Sequence, residues 1–583
     1  MQLTDYWGIG PKTRDLLVES LGTEAAIEAI ESADVRVLVG AGVPQGRATR
    51  ILRRADGGGG LDALATRDTR AVYRDLLALA RQHAVTRDAG DRICVLTPLA
   101  DREAMDARLD RVEAAMATWR GLNGEERDAV LEVFDRYDEA DSDDLAAVEA
   151  ARGLQELGRT TGVFEPVAAL DADRLADAAV ALRAFDGDDL REGVDDRLDA
   201  LRTAAATARR LESDPAALLA QVRDGGVRDS DAFRTALVRH VATETEVEAA
   251  RVRAATPAEA ADAADFVAAT LRTLSRDLES EAADRAESVR AELEEDLTAA
   301  GPTVEEAGTV IDALTLDLSL ARFVLTYDMS RPTFTEAAAL GVEAARNLAL
   351  EADGVSVQPV SYGLGAHDLD LPSERVGVLT GANSGGKTTL LETLCQVVLL
   401  ARLGLPVPAK AAHLAPDLRV VFHRRHASFN AGMLESTLQS IVPPLTEPGR
   451  TLMLVDEFEA ITEPGSAADL LHGLVRLTVG EDGPAEATSL GAFVTHLAED
   501  LEPLPATARV DGIFARGLDG DLDLEVDYQP RFNELGRSTP EFIVSRLLAD
   551  ATDVRSRAGF EALATAVGQE AVQRTLEDAR FTD

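Results

Sequence analysis

At 583 residues, with a formal net charge of -44, 46% hydrophobic residues and only 4% aromatic ones, the chain has the composition of a large globular protein with aliphatic cores, not of a disordered or fibrous one. No run approaches the roughly 20 apolar residues that cross a bilayer, and the opening MQLTDYWGIG lacks the basic and apolar regions of a signal peptide, so a cytoplasmic protein without membrane contact is expected. Two cysteines, Cys94 and Cys395, are not expected to form a disulfide framework or a four-ligand zinc site, and both are expected as buried small hydrophobes.

The positive charge is almost all arginine, the only lysines being Lys12, Lys387 and Lys410. An acidic, lysine-poor surface resembles that of proteins from salt-loving archaea. In molar salt the Debye length falls to about 3 Å, so global repulsion fades and the net charge neither supports nor excludes a nucleic-acid partner.

Residues 1–56 form a first unit. WGIGPKTRDLLVESLG and LVGAGVPQGRATRILRR each place a tight glycine turn before a helix, at Gly8-Ile9-Gly10 and at Gly42-Val43-Pro44. The pattern resembles a tandem helix-hairpin-helix module, in which glycines let the hairpin approach a DNA phosphate and the following helix N-terminus offers it free N–H groups. On that resemblance Gly8, Gly10, Lys12, Gly42, Gly46 and Arg47 are the DNA-binding candidates. Basic and acidic residues nearly balance here, a neutral island in an acidic chain. Pro44 stands where the motif prefers glycine, and a small helical protein-docking module is the alternative reading.

A glycine-rich linker is expected over 57–64 and helix over 65–345. Val194, Leu198, Leu201, Ala205, Ala208 and Leu211 recur every three or four residues, as do Ala286, Val289, Leu293 and Leu297. Such narrow apolar stripes predict long helices packed in pairs, an arm more than a ball. SDP at 213–215 and AGP at 300–302 are the strongest breakers, each expected to turn an antiparallel pair.

From about 346 to 530 the pattern changes to short strands alternating with helices: RVGVLT, RVVFH, TLMLVDE, GAFVTH and LDLEVDY. Buried strands between helices predict an α/β domain with a largely parallel sheet. Gly381 to Thr388 reads GANSGGKT, which satisfies GxxxxGK(S/T) with a strand before it and a helix after it. Gly381, Gly385 and Gly386 let backbone N–H groups wrap phosphates, Lys387 reaches the β- and γ-phosphates, and the Thr388 hydroxyl ligates Mg2+. Asp456, ending the apolar LMLVD run, is placed to hold the metal through water, and Glu457 to polarise the attacking water. His496, ending FVTH, is a candidate contact to the γ-phosphate. ATP and Mg2+ are the expected cofactors.

TGANSGGKTTLLET, GLPVPA, ASFNAGM, LVDEFEAITEPGSAADLL and VTHLAEDL, in that order, resemble the MutS-family ATPase domain, nearest its recombination-suppressing paralogue branch. VLTPLADREAMDARLDRVE at 95–113 looks like the start of that family's core domain, DALTLDLSLARFVLTYDMSRP at 312–332 like the return of its lever helices, and YQPRFNELGRSTPEFIVSRLL like its closing region. The resemblance covers about residues 65–550. It implies a multidomain α plus α/β protein: the small N-terminal module, a helical core, lever and clamp over 65–345, a P-loop, ABC-like ATPase over 346–530, and a helical dimerisation region over 531–583. It also implies a homodimer whose nucleotide sites are completed by the partner, with arms that open or close on DNA. On the same resemblance Asn383, Ser384, Thr389 and Ser428 join the nucleotide-binding set.

The departures from the family pattern carry their own expectations. Ala427 stands where the trans-acting serine would fall, with Ser428 one position later. Glu459 and Ile461 replace two glycines after the Asp-Glu pair, which is expected to stiffen that segment and either slow turnover or alter dimer contacts. No mismatch-reading domain and no C-terminal nuclease domain is recognisable, so branched or recombining DNA is expected over mismatches. A switch acting on a ribosome or protein partner is the alternative, and a transporter-type ATPase is disfavoured because no LSGG-type signature precedes Asp456. HRRH at 423–426 is expected as a basic surface turn and DRYDEADSDD at 135–144 as a solvated face.

Overall fold

The computed structural model describes residues 3, 6, 9–31, 34–55, 60–140, 142–186, 189–224, 229–381, 386–425, 431–461, 464–480, 488–501, 503–518, 524–536, 540–551, 553–567 and 572. The chain folds as two compact units, residues 1–131 with 312–583 and residues 132–311. The stretch expected as one helical region over 65–345 is therefore shared between them.

The first unit opens with α1 (Pro11–Leu21), α2 (Thr23–Glu31), α3 (Val35–Gly40) and α4 (Gln45–Ala55). Leu17, Ile30, Leu38, Ile51 and Leu52 close a small core among them. Asp34 caps α3 by accepting from the N–H groups of Arg36 and Val37. Gly42, at φ +92°, turns the chain toward α4 in a conformation that strains any other residue. Next come α5 (Arg67–Arg81), α6 (Arg87–Val95) and α7 (Arg102–Gly121). Thr66 caps α5 and its hydroxyl also donates to Phe422 O at 2.6 Å, while Thr69 Oγ1 donates to Val420 O at 3.1 Å. These bonds tie the start of α5 to a strand of the sheet described below.

The second unit contains α8 (Asp196–Glu212), α9 (Ser230–Thr245) and most of α10 (Ala263–Thr326). Leu198, Leu201, Ala205 and Ala208 of α8 bury against Leu271, Leu274 and Leu278 of α10, with Leu237 and Val241 of α9. Arg285 meets Asp195 at 2.7 Å, Arg197 meets Glu281 at 2.8 Å and Arg272 meets Glu212 at 3.1 Å. Partner numbers fall on one helix as they rise on the other, so α8 and α10 form an antiparallel pair, as the stripes predict. The SDP break is present, α8 ending at Glu212. The AGP break is not: α10 runs unbroken through Pro302. Proline removes one backbone hydrogen bond and clashes with the preceding turn, at a cost of about 3 kcal/mol. Buried Val304, Ala307 and Ile311 beyond it hold the helix together.

Back in the first unit, two sheets follow. The smaller comprises β1 (Thr333–Phe334), β2 (Ala339–Ala345), β3 (Val360–Gly365) and, after the next strand in the chain, β5 (Ala411–Leu414), in the order β1-β5-β2-β3. The residues ALGVEAA of β2 are expected as helix; cross-strand pairing to β3 and β5 on a buried surface overrides the alanine-rich propensity. The larger sheet contains β4 (Val376–Gly381), β6 (Arg419–His423), β7 (Thr451–Asp456), β8 (Leu490–Val494), β9 (Ala508–Leu518) and β10 (Leu524–Phe532), ordered β10-β9-β4-β8-β7-β6. All of its pairings are parallel except β9 with β10. Strands of parallel sheets are covered on both faces, which is why β4, β7 and β8 read as continuous apolar runs, buried at every residue. Register places Leu379 level with Val494, Val494 with Asp456, and Val455 with His423, so four strands end along one edge.

Among the described residues no helix is long and apolar enough to cross a membrane.

Candidate functional site

In an open α/β sheet, residues just past the carboxyl ends of the strands face a common crevice. β4 ends at Gly381, with φ +124°, where a Cβ would lie 2.1 Å from Ile513 O; only glycine lets β9 pass this close. Gly386, left-handed at φ +70°, caps α11 (Lys387–Arg402). A Cβ on Gly386 would lie 2.7 Å from the Tyr528 ring. Asn383, Ser384 and Gly385 lie between these glycines, outside the described residues.

Lys387 is buried and its Nζ donates to Gly381 O at 2.9 Å. Burial pushes its pKa down, while the carboxylates of Glu457, Asp456 and Glu459 pull it up. Thr388 Oγ1 donates to Asp456 Oδ2 at 2.8 Å. Burial raises the Asp456 pKa, opposed first by the Thr388 hydrogen bond. Thr389 follows in the first turn of α11, its carbonyl accepting from the Thr393 hydroxyl at 2.7 Å.

Glu457 lies immediately after β7 with φ +44°, a left-handed backbone rare for a side chain of this size. Its N–H donates to Val494 O at 3.0 Å. The carboxylate is held from two sides: Oε1 lies 3.3 Å from His496 Nε2 and Oε2 lies 2.6 Å from Arg425 Nη1. Glu459, where the family pattern has glycine, accepts the His496 backbone N–H at 2.6 Å and so ties the segment after β7 to the end of β8. The side chain of Ile461 and the whole of Ala427 and Ser428 are outside the described residues.

The structure thus brings Lys387, Thr388, Asp456, Glu457 and His496 together. Arg425 belongs with them, and its sequence context hides it: in HRRH it looks like a surface charge until β6 is seen to end at His423, which aims the next residues into the crevice. Its neighbours are also engaged, Arg424 with Glu392 at 2.6 Å and His423 Nε2 with the Ser440 hydroxyl at 2.9 Å. Beside the loop lies a cavity of about 320 Å³, lined by Asn347, Leu350, Val355, Gln358, Lys387 and Tyr528 among others. Asn347 carries no motif that would flag it, and Tyr528, though inside a segment that resembles the family, is not marked there as a site residue. Apolar residues such as Leu350 and Val355 share its wall with polar ones such as Asn347, Gln358 and Lys387, a mixed lining that can hold and orient a small ligand.

Chemically, a buried ammonium, a hydroxyl and a carboxylate 2.8 Å apart, and a second carboxylate beside them fit a phosphorylated ligand with a divalent cation. Among the described residues no cluster of three or more His, Cys, Asp or Glu side chains could hold a metal by itself. Mg2+ does not need one, since it binds through one or two protein groups together with phosphates and water.

In the N-terminal module, Gly10 caps α1, and Lys12, Gly42, Gly46 and Arg47 are exposed around the starts of α1 and α4. Gly8 is outside the described residues.

No family model matches the chain. Homologues come from the MutS family. The chain is 44% identical over 212 residues to a protein of Pyrococcus furiosus named DNA-binding protein MutS2, 36% of each chain. It is 26% identical over 511 residues to the DNA mismatch repair protein MutS of Natronomonas pharaonis, 77% of this chain and 56% of that one. To the endonuclease MutS2 of Solidesulfovibrio magneticus it is 34% identical over 140 residues, 22% of this chain and 17% of that one. The chain thus spans about half the length of these curated relatives or less.

Proposed function

We propose that this chain is a MutS-like, ATP-dependent DNA-binding protein in which nucleotide at the β4–α11 loop controls how DNA is held. The observation that carries the reading is the meeting of Lys387, Thr388, Asp456 and Glu457 at the carboxyl edge of a parallel sheet, between a glycine-bounded loop and a helix N-terminus. A helix N-terminus with free N–H groups favours an anion. Lys387 exchanges Gly381 O for the β- and γ-phosphate oxygens. Thr388, and Asp456 through water, would hold Mg2+, which would supply charge neutralisation at the phosphates. Glu457 positions and polarises the attacking water, and His496 orients Glu457 or contacts the γ-phosphate. The cavity beside Tyr528 takes the base.

The DNA side is supported by the name of the Pyrococcus relative and by the hairpin residues, Gly10 at the start of α1 and the exposed Lys12, Gly42, Gly46 and Arg47. In this reading residues 1–56 grip DNA backbone, 65–345 supply the core, lever and clamp, 346–530 the ATPase, and 531–583 a dimerisation region. The protein acts as a homodimer on branched or recombining DNA, with Ser428 serving the second nucleotide site. Tight anchoring of the β7–β8 edge by Glu459 makes turnover slow.

Lys387→Ala tests the reading. Nucleotide should shift the affinity of the wild-type protein for branched DNA, and the variant should lose that shift while its nucleotide-free DNA binding stays. Retention of the shift in the variant would contradict the assignment.

A further inference from the structure

A second cavity, of about 630 Å³, lies between the N-terminal module and the larger sheet, within the first unit. Its lining carries Arg50, Arg53 and Arg54 of α4, Arg70 of α5 and Arg419 of β6, five arginines against two acids, Asp62 and Glu447. In a chain of net charge -44 such a local excess is a pronounced departure. Arg419 pairs with one of those acids, Glu447, at 2.6 Å. Arg53 donates to Cys94 O at 2.7 Å, Arg70 to Leu64 O at 3.1 Å and Arg50 to Gly46 O at 3.0 Å. Those three acceptors are neutral carbonyls, which orient the guanidinium groups without cancelling their charge.

We infer that this cavity binds the phosphodiester backbone of the nucleic acid that the N-terminal module engages, and that α4 carries the backbone from hairpin to cavity. Arg47, Arg50 and Arg54 fall at i, i+3 and i+7, one face of a helix, and all three are exposed. The 11 residues of α4 give that stripe a reach of about 16 Å from the turn at Gly42 to the cavity. Arginine suits the task, because its planar fork meets phosphate oxygens in pairs. The lining also argues against a free nucleotide. Its one aromatic residue, Tyr73, is buried, with the Arg53 guanidinium 5.1 Å over its ring, so no aromatic face is open to stack a base. Backbone contacts of this kind hold DNA without reading its sequence.

The inference rests on the proposed DNA binding and is separable from it. The double variant Arg50→Gln/Arg54→Gln spares Arg53 and Arg70, whose hydrogen bonds brace the cavity wall. Affinity for duplex DNA, followed by anisotropy over a KCl series, should fall alike on all sequences. The slope of log K against log salt should become shallower by about 0.9 per lost phosphate contact, roughly 1.8 in all. Arg50→Lys/Arg54→Lys should restore the slope, and an unchanged thermal midpoint in both variants keeps the comparison on binding. A wild-type slope in the Gln variant overturns the inference and leaves DNA binding elsewhere intact; so does a loss confined to inorganic tripolyphosphate binding. Absence of DNA binding by the wild-type protein overturns this inference and the proposed function together.

Discussion

Burial, and next the carboxylate of Asp312, push the pKa of Asp88 up to about 6 from an ordinary 3.8. A carboxyl raised in the folded state favours folding only while it holds its proton. Stability from this residue is therefore lost as pH rises from about 4 to 6 and stays lost above. Asp88→Asn should raise stability at pH 7 by about 1–2 kcal/mol, after discounting for the partial exposure of the site, and by nearly nothing below pH 4. Chemical denaturation at the two pH values checks it; an equal gain at both would remove ionisation as the cause. At this scale the sequence is readable where chemistry is local. GxxxxGKT and the acids after an apolar run announce Lys387, Thr388, Asp456 and Glu457, because each is defined by its neighbours in the chain. Arg425 is silent in sequence and Glu459 stands out there only as a departure from the family pattern, because what each one holds depends on which strand ends beside which.

Among the elements, α10 conflicts most sharply with its own sequence. Pro302 is exposed and sits inside a helix of 64 residues. Pro302→Ala should stabilise the protein by about 1–3 kcal/mol, since it restores a backbone hydrogen bond and relieves the clash with the preceding turn. A higher thermal midpoint with unchanged or increased helical circular dichroism is expected; a lower midpoint would show that the chain turns at AGP after all. Strand β9 is hidden in the sequence for the opposite reason. Arg509 and Asp511 interrupt its apolar pattern and read as solvent-exposed, yet both are buried. Arg509 Nε donates to Asp511 at 3.0 Å and Tyr362 OH donates to Asp511 Oδ2 at 2.8 Å. A charge pair satisfied inside a protein cannot be told from a wet one by composition alone. The strands β4, β6, β7 and β8, without such pairs at their centres, are legible as short apolar runs.

For the whole molecule, the net charge of -44 sets the conditions under which any activity can be seen. At low ionic strength self-repulsion opposes the compact state and repels DNA; in molar KCl screening acts over about 3 Å and, on the proposed reading, leaves the N-terminal hairpins and arginines to act locally. The two-unit division is only partly legible, because the first unit is assembled from both ends of the chain around the segment 132–311. Helical periodicity reports where helices are and says nothing of which sheet or core they join. The most direct test of the proposed function is ATP hydrolysis by the purified protein in molar KCl, alone and with linear, mismatched and four-way-junction DNA, beside the Glu457→Gln variant. Turnover stimulated by the junction above the other DNAs, and lost in Glu457→Gln, is the predicted result. Turnover equal on every DNA, or undiminished in the variant, would contradict it.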